Sequence, residues 1–265
     1  MPKFAIPEIL HEDRVCEASQ RINYYYTELT TKGRKLYSGS LFDEFASDQN
    51  PGGAFTSADF LSTGLLGVHV PGEAIVKFFS DAELMKELER LLEQLPANVD
   101  LGDLNKPAFN RLLGSKGSPG FMLWDLIRGH RVRGMNGKEY VGMGETLTSK
   151  LLARKRPRLI PIWDRRVGNQ IKLPHSGDHW EGMWRALTDE DGKLTRRLTE
   201  IRKASRQRQI SLLRTFDVAV WHFDKNDEWS QPSMSKRSEP ADDDGLIGDA
   251  ADAVDGVPDV KPVQK

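Results

Sequence analysis

Cysteine is almost missing from this chain: Cys16 is the one thiol in 265 residues. A single thiol can form neither an intrachain disulfide nor a cysteine-based zinc site, and this fits a reducing, cytoplasmic setting. Long apolar runs are missing as well. No stretch approaches the roughly 18 apolar residues that a membrane span needs. The start, Met1-Pro2-Lys3-Phe4-Ala5-Ile6-Pro7, has no signal-peptide core. A soluble, cytoplasmic protein with no membrane partner is the expectation. No Gly-x-Ser-x-Gly elbow occurs, so a serine hydrolase of that kind has no support. Gly114-Ser115-Lys116-Gly117-Ser118-Pro119-Gly120 has the composition of a phosphate loop without its spacing, and reads as a linker between helices. His175 and His179 stand four apart around Gly177-Asp178 with no third ligand nearby, so neither a metal site nor a cofactor is expected.

What the chain does have is charge, unevenly placed. The formal net charge of −1 hides seventeen Lys/Arg against eight Asp/Glu between Glu145 and Arg214. From Asp224 to Lys265 the balance reverses, with five Lys/Arg and eleven Asp/Glu. That acidic end holds few large apolar groups and cannot bury enough surface to offset its ordering entropy. The sequence therefore divides into a domain over residues 1–224 and a disordered acidic tail over residues 225–265.

The domain reads as mainly α, a single multi-helix unit with at most a small β-hairpin. Val15, Ala18, Ile22, Tyr25, Tyr26 and Leu29 recur near a 3.6-residue period and predict a helix over Glu12–Leu29. Residues 34–53, anchored by Tyr37, Phe42 and Phe45, predict an ordered loop. Thr56 or Ser57 should cap a short helix. Pro71 should open another that sends Ile75, Val76, Phe78 and Phe79 into the core. Ser80-Asp81 starts a helix with Leu84, Leu88, Leu91, Leu92 and Leu95 on one face, and a further helix is expected from Pro119 to Ile127, burying Phe121, Leu123, Trp124 and Ile127. Asn136-Gly137 is a hairpin signal. Later helices are expected over residues 145–156, 161–171, 188–206 and 209–222.

The most informative stretch runs from Ser149 to Val167. Between Lys150 and Arg166 it carries seven Lys/Arg and one acid, Asp164. Such a field can bind phosphate, poise a carboxylate, or only flank a helix start. One reading sets Lys150, Arg154 and Lys155 on a solvated face, with Leu147, Leu151 and Leu152 inward and Trp163 in the core. Asp164 then favours the following helix dipole and pairs with Arg165 or Arg166. Arg196, Arg197, Arg202, Lys203, Arg206, Arg208 and Arg214 extend the positive surface. A basic face of this kind points to DNA or RNA, or to an acidic protein; the oligomeric state is left open.

Two resemblances add to this reading. Tyr24-Tyr25, Gly39, Phe42, Phe55, Asp59 with Leu61, Ser149-Lys150-Leu151-Leu152, Lys155-Arg156-Pro157, Pro161-Ile162-Trp163-Asp164, Leu212-Leu213-Arg214, Phe216-Asp217 and Trp221 together resemble a bacterial family known only as a domain of unknown function. That resemblance implies one domain over most of the chain and carries no activity. Val141-Gly142-Met143-Gly144, followed by Leu147, Leu151, Leu152, Arg156-Pro157 and Pro161, is similar to the core of the helix-hairpin-helix DNA glycosylases. The similarity implies a hairpin, Gly142 and Gly144, offering N–H groups to a DNA phosphate, and makes Asp164 the catalytic carboxylate acting on a flipped-out base. The chain departs from that pattern in three places, one being that the segment before Gly142 reads as a β-turn rather than the first helix of the motif. Thr146 stands where the bifunctional enzymes carry a Lys, and Trp163 inserts one residue, which would turn Asp164 by roughly 100° on a helix. The candidate anion-binding set is thus Gly142, Gly144, Lys150, Arg154, Lys155, Arg156, Arg158, Arg165 and Arg166.

Overall fold

Helix-period apolar residues and local capping chemistry set most of the elements. The structure, a computed structural model, describes residues 4–128, 132–133, 139–140, 143–173 and 176–225. Two short 3-10 turns, Glu8–Leu10 and Glu12–Arg14, lead into α1 (Val15–Thr27), which buries Ala18, Ile22, Tyr25 and Tyr26. Helix α1 stops short of Leu29, which is exposed and pairs with Lys35 across an isolated antiparallel bridge. The expected ordered loop follows, shaped by 3-10 turns at Ser38–Leu41 and Ser47–Gln49 and anchored by buried Phe42.

Thr56 precedes α2 (Ser57–Ser62), and its N–H donates to Asp59 Oδ2 at 2.7 Å. Pro71 does lead into α3 (Gly72–Ser80), but that helix corrects the expectation about its apolar face. Phe78 is buried, whereas Ile75, Val76 and Phe79 are exposed, Val76 by 65%. Among the described residues α3 packs through the Phe60–Phe78 and Phe60–Phe79 ring contacts and against α4. Helix α4 (Ala82–Glu93) has Asp81 as its N-cap, with Oδ1 accepting from the Leu84 N–H at 2.9 Å. It buries Leu88, Leu91 and Leu92, with Leu95 just beyond.

No apolar period announces the next unit. Asn105 caps α5 (Lys106–Phe109), which runs on as a π-helical turn over Asn110–Gly114. Helix α6 (Pro119–Arg128) approaches it so closely that a Cβ on Gly120 would lie 2.9 Å from the Leu112 carbonyl oxygen. Leu123, Trp124 and Ile127 of α6 are buried and Phe121 is half-buried. Two-residue strands β1 (Val132–Arg133) and β2 (Glu139–Tyr140) pair antiparallel, Val132 opposite Tyr140. The Asn136-Gly137 turn and Gly142 lie outside the described residues.

Helix α7 (Glu145–Lys155) is central: nine of its eleven residues are buried. The next helix begins later than its sequence suggests. Pro161–Asp164 is not helical, Asp164 itself being extended, and α8 spans Arg165–Ile171, so the 100° helical turn expected from Trp163 does not arise. Helix α9 (His179–Thr188) has no counterpart in the sequence-based expectation. Asp191 and Gly192, both at positive φ (55° and 74°), then reverse the chain into α10 (Lys193–Ala204), displacing its start from Thr188. Helix α11 (Leu212–Lys225) closes the described chain and packs against α1, α8 and α10. The fold is mainly α around one large apolar cluster. The acidic residues from 226 onward lie outside the described residues. Among the described residues no helix is long and apolar enough to cross a membrane.

Candidate functional site

A helix buried on all sides is normally apolar throughout, yet α7 carries Lys150, Arg154 and Lys155 inside, with Arg156 following. The solvated face expected for these cations is absent, because each reaches an internal acceptor. Lys155 Nζ lies 2.5 Å from Asp59 Oδ2, with both side chains fully buried, and also meets Asn50 Oδ1 and the Pro51 carbonyl. Arg154 Nε stands 3.6 Å from Asp59 Oδ1, and its guanidinium donates to the Phe42 and Phe45 carbonyls. Arg156 donates to Gly52 O at 2.6 Å, to Leu95 O at 2.7 Å and to Leu92 O, tying the loop before α2 to the end of α4, where Leu92 O also accepts from the Leu95 N–H. Lys150 Nζ donates to Leu66 O at 3.1 Å. Burial lowers the pKa of all four, opposed by Asp59 at Arg154 and Lys155.

A second group of buried charges adjoins the first. Arg214 on α11 donates to Asp43 Oδ2 (3.1 Å), Gly39 O (2.8 Å), Tyr25 Oη (3.3 Å) and Asp217. The Phe42 ring lies under both guanidinium groups, 5.8 Å from Arg154 and 5.5 Å from Arg214. Burial pushes Asp217 up to about 6, against Arg214 and Lys150 and with the help of the Asp164 charge. Burial also works against the Arg214 charge, but Tyr26, Tyr25, Asp43 and Asp217 outweigh it and raise its pKa. The two ends of this pair thus pull differently. Arg214 has several acceptors that hold it ionised, whereas Asp217 is fully enclosed with one direct cation, so Asp217 is the member that titrates.

Asp164 is half-buried beside this group. It N-caps α8, its Oδ1 accepting from the Val167 N–H at 2.9 Å. Ser149 Oγ fixes the preceding residue by donating to Trp163 O and accepting from Trp163 N–H, at 2.9 and 3.1 Å. Trp163 is half-buried, short of the full core position expected for it. Gly144 is the exposed N-cap of α7, followed by Glu145, which pairs with Arg128 at 3.4 Å. Arg158, Arg165 and Arg166 are exposed; Arg158 Nε meets Asp100 at 3.0 Å and Arg166 meets Asp224 at 3.1 Å. The structure therefore brings Lys150, Asp164, Arg214 and Asp217 together and separates them from the surface arginines. Sequence reasoning missed Asp43, Asp59 and Asp217 as partners. Asp217 had a signal, a lone carboxylate between apolar residues in the middle of an amphipathic helix.

Beside Arg214 and Asp43 lies a void of about 10 Å³, close to the space of one water. A wider groove of about 1060 Å³ is elsewhere, between residues 4–6, α9 and the start of α10. His179 is buried with Nε2 3.1 Å from Ile162 O, and burial pushes it down to about 4. His175 lies outside the described residues, and among those described no three metal-ligating side chains gather.

These features define a mainly helical protein with ionic groups built into its core. The chain belongs to a family of unknown function, DUF6308, whose family model matches residues 18–224, from α1 to α11. Neither the curated proteins nor the solved structures gave a match.

The buried titrating groups predict a pH signature. His179 and His222 are both pushed down to about 4 by burial, so the unfolded chain takes up their protons first and stability falls as pH drops from about 6.5 toward 4. Asp217 acts oppositely. Its folded value near 6 exceeds its ordinary 3.8, so its contribution is greatest at low pH and is lost as pH rises through 6. Asp217→Asn removes that opposition, and the acid loss of stability should steepen by up to about 1.4 kcal/mol per pH unit. Urea midpoints at pH 7, 6 and 5 measure this; an unchanged slope would show that Asp217 stays ionised throughout.

Proposed function

We propose that this chain binds nucleic acid, and that the contacts are made at the end of α10 rather than on α7. The observation that carries this reading is a set of surface cations with which no described carboxylate pairs. Arg202, Lys203, Arg206 and Arg208 fall within seven residues that contain no acid. Lys203, Arg206 and Arg208 are exposed, and no carboxylate among the described residues comes within ion-pair distance of them. The turn that presents them is well anchored. Ser205, Gln207 and Ile210 are buried, Arg202 Nη1 donates to Ile210 O at 3.2 Å, and Arg206 takes a left-handed φ of 63°. One cation at a helix C-terminus complements the dipole; a further unpaired cluster is better suited to phosphates, whose contacts make affinity strongly salt-dependent.

Titration of labelled duplex and single-stranded DNA at two salt concentrations tests this. Three phosphate contacts give a log–log salt slope of roughly −3. Replacing Lys203, Arg206 and Arg208 by Ala should weaken binding on every sequence and flatten the slope by about one per cation. A slope near zero in the unmodified chain would instead favour an acidic protein as the partner.

One observation favours a second reading, in which Asp164 is the carboxylate of a glycosylase-like centre. Pro161–Asp164 is not helical, so Asp164 sits at the N-terminus of α8 as its cap, with Lys150 acting on the same group of charges, and the helical rotation expected from Trp163 does not apply, although the inserted residue remains a departure from the pattern. The void beside Arg214 and Ile162 is not lined by Asp164 and is far smaller than a base, so this reading requires the site to open on DNA. Asp164→Asn keeps an equally good helix cap. It should abolish release of damaged bases while leaving DNA affinity intact; no release by the unmodified chain rejects this reading.

A further inference from the structure

The same cationic turn has a second candidate occupant, encoded in the chain itself. We infer that the acidic segment beyond Lys225 docks on Lys203, Arg206 and Arg208 and competes there with nucleic acid. The inference rests on the proposed function for the competitor but not for the docking itself.

Charge complementarity is the first argument. Residues 226–265 carry ten Asp/Glu and four Lys/Arg, with the densest block at Asp242-Asp243-Asp244. The turn offers exposed cations that no described carboxylate neutralises. At the opposite end of α10 the exposed Lys193 and Arg196 are accompanied by exposed Asp189 and Asp191, whereas the stretch from Arg202 to Arg208 contains no acid, the exposed acid before it being Glu200. An acidic strand therefore meets less repulsion over Arg202–Arg208 than at the start of α10.

Position is the second argument. The described chain ends on α11 at Lys225, and the ends of α10 and α11 both meet the same half of α1. Ser19 Oγ donates to Ile201 O at 3.3 Å, and Arg21 Nη1 donates to His222 O at 3.3 Å. Ser19 and Arg21 are two residues apart, about 3 Å along the helix axis. Lys203 is two residues past Ile201, and Lys225 three past His222. Asp242 lies seventeen positions beyond Lys225, enough to span up to roughly 55 Å. A tether of this length holds the acidic block at a high effective concentration without any strong contact. A nucleic acid must then displace it, and salt weakens both interactions together.

Two measurements on the full chain test this separately. Zero-length carbodiimide coupling at low salt joins carboxylates to the lysines they touch. Lys203 should couple within the monomer to Asp242, Asp243 or Asp244 in preference to exposed Lys32 and Lys116, and the product should vanish at high salt. Absence of that product, or equal coupling to all three lysines, overturns the docking whether or not DNA binds. In the second measurement, full-length chain with Asp242, Asp243 and Asp244 changed to Asn should bind DNA about tenfold more tightly at low salt, with the gain lost at high salt. DNA affinity that depends on Lys203, Arg206 and Arg208 but is unchanged by the Asn variant overturns the competition while leaving the proposed function standing. Coupling to Lys203 without any DNA binding upholds the docking and removes nucleic acid as the competitor.

Discussion

Asp59 faces the hardest electrostatic demand in this fold. Its fully buried carboxylate lies against Lys155 and within 3.6 Å of Arg154, and no other described carboxylate pairs with either of these α7 cations. A buried charge without partners costs several kcal/mol, so one carboxylate cannot support this set alone. Backbone carbonyls do the rest. Phe42, Phe45, Pro51 and Gly52 of the loop before α2, Leu92 and Leu95 at the end of α4, and Leu66 after α2 all accept from α7 cations or Arg156. Pro51 O and Leu92 O also accept backbone N–H groups, and for the other carbonyls these side chains supply the donors that a buried loop or helix end needs. The ordered loop, the end of α4 and the centre of the molecule thus depend on one another through these side chains.

Phe42 links that arrangement to the group around Arg214. Its ring lies under both guanidinium groups, and Asp43, the next residue, pairs with Arg214. Helices α1, α7 and α11 and two loops therefore converge on a continuous charged interior, with Asp164 at its half-exposed edge. This gives the segment from Lys150 to Arg166 two roles along its length. Its first half is internal structure, and its later residues reach the surface.

Much of the fold was legible because local chemistry and packing agree. Asp81 with Leu88, Leu91 and Leu92 defines α4 as its sequence suggests, and Ile22, Tyr25 and Tyr26 do the same for α1. Asn136-Gly137 sits between two strands that do pair. Where tertiary partners decide, the sequence misled. Ile75 and Phe79 have helical spacing, but both stay exposed, Phe79 despite its ring contact with Phe60. Helix α9 starts without a capping bond: its N-cap, Asp178, accepts none through its side chain, and the first helical residue, His179, is held by Ile162 O. The candidate site suffered most. A run such as Arg154-Lys155-Arg156 normally marks solvent, and carbonyl ligands scattered over residues 42–95 have no periodic signature that would announce the exception.

The charge of the region therefore divides into a buried share that holds helices and loops together and a surface share at the end of α10 that is free to meet an anion. Reaction of the folded chain with an amine-acylating reagent, resolved by mass spectrometry, tests that division most directly. Lys150 and Lys155 should stay unmodified while Lys203 reacts, and all three should react after denaturation. Modification of Lys150 and Lys155 at the rate of Lys203 in the folded chain would contradict the account.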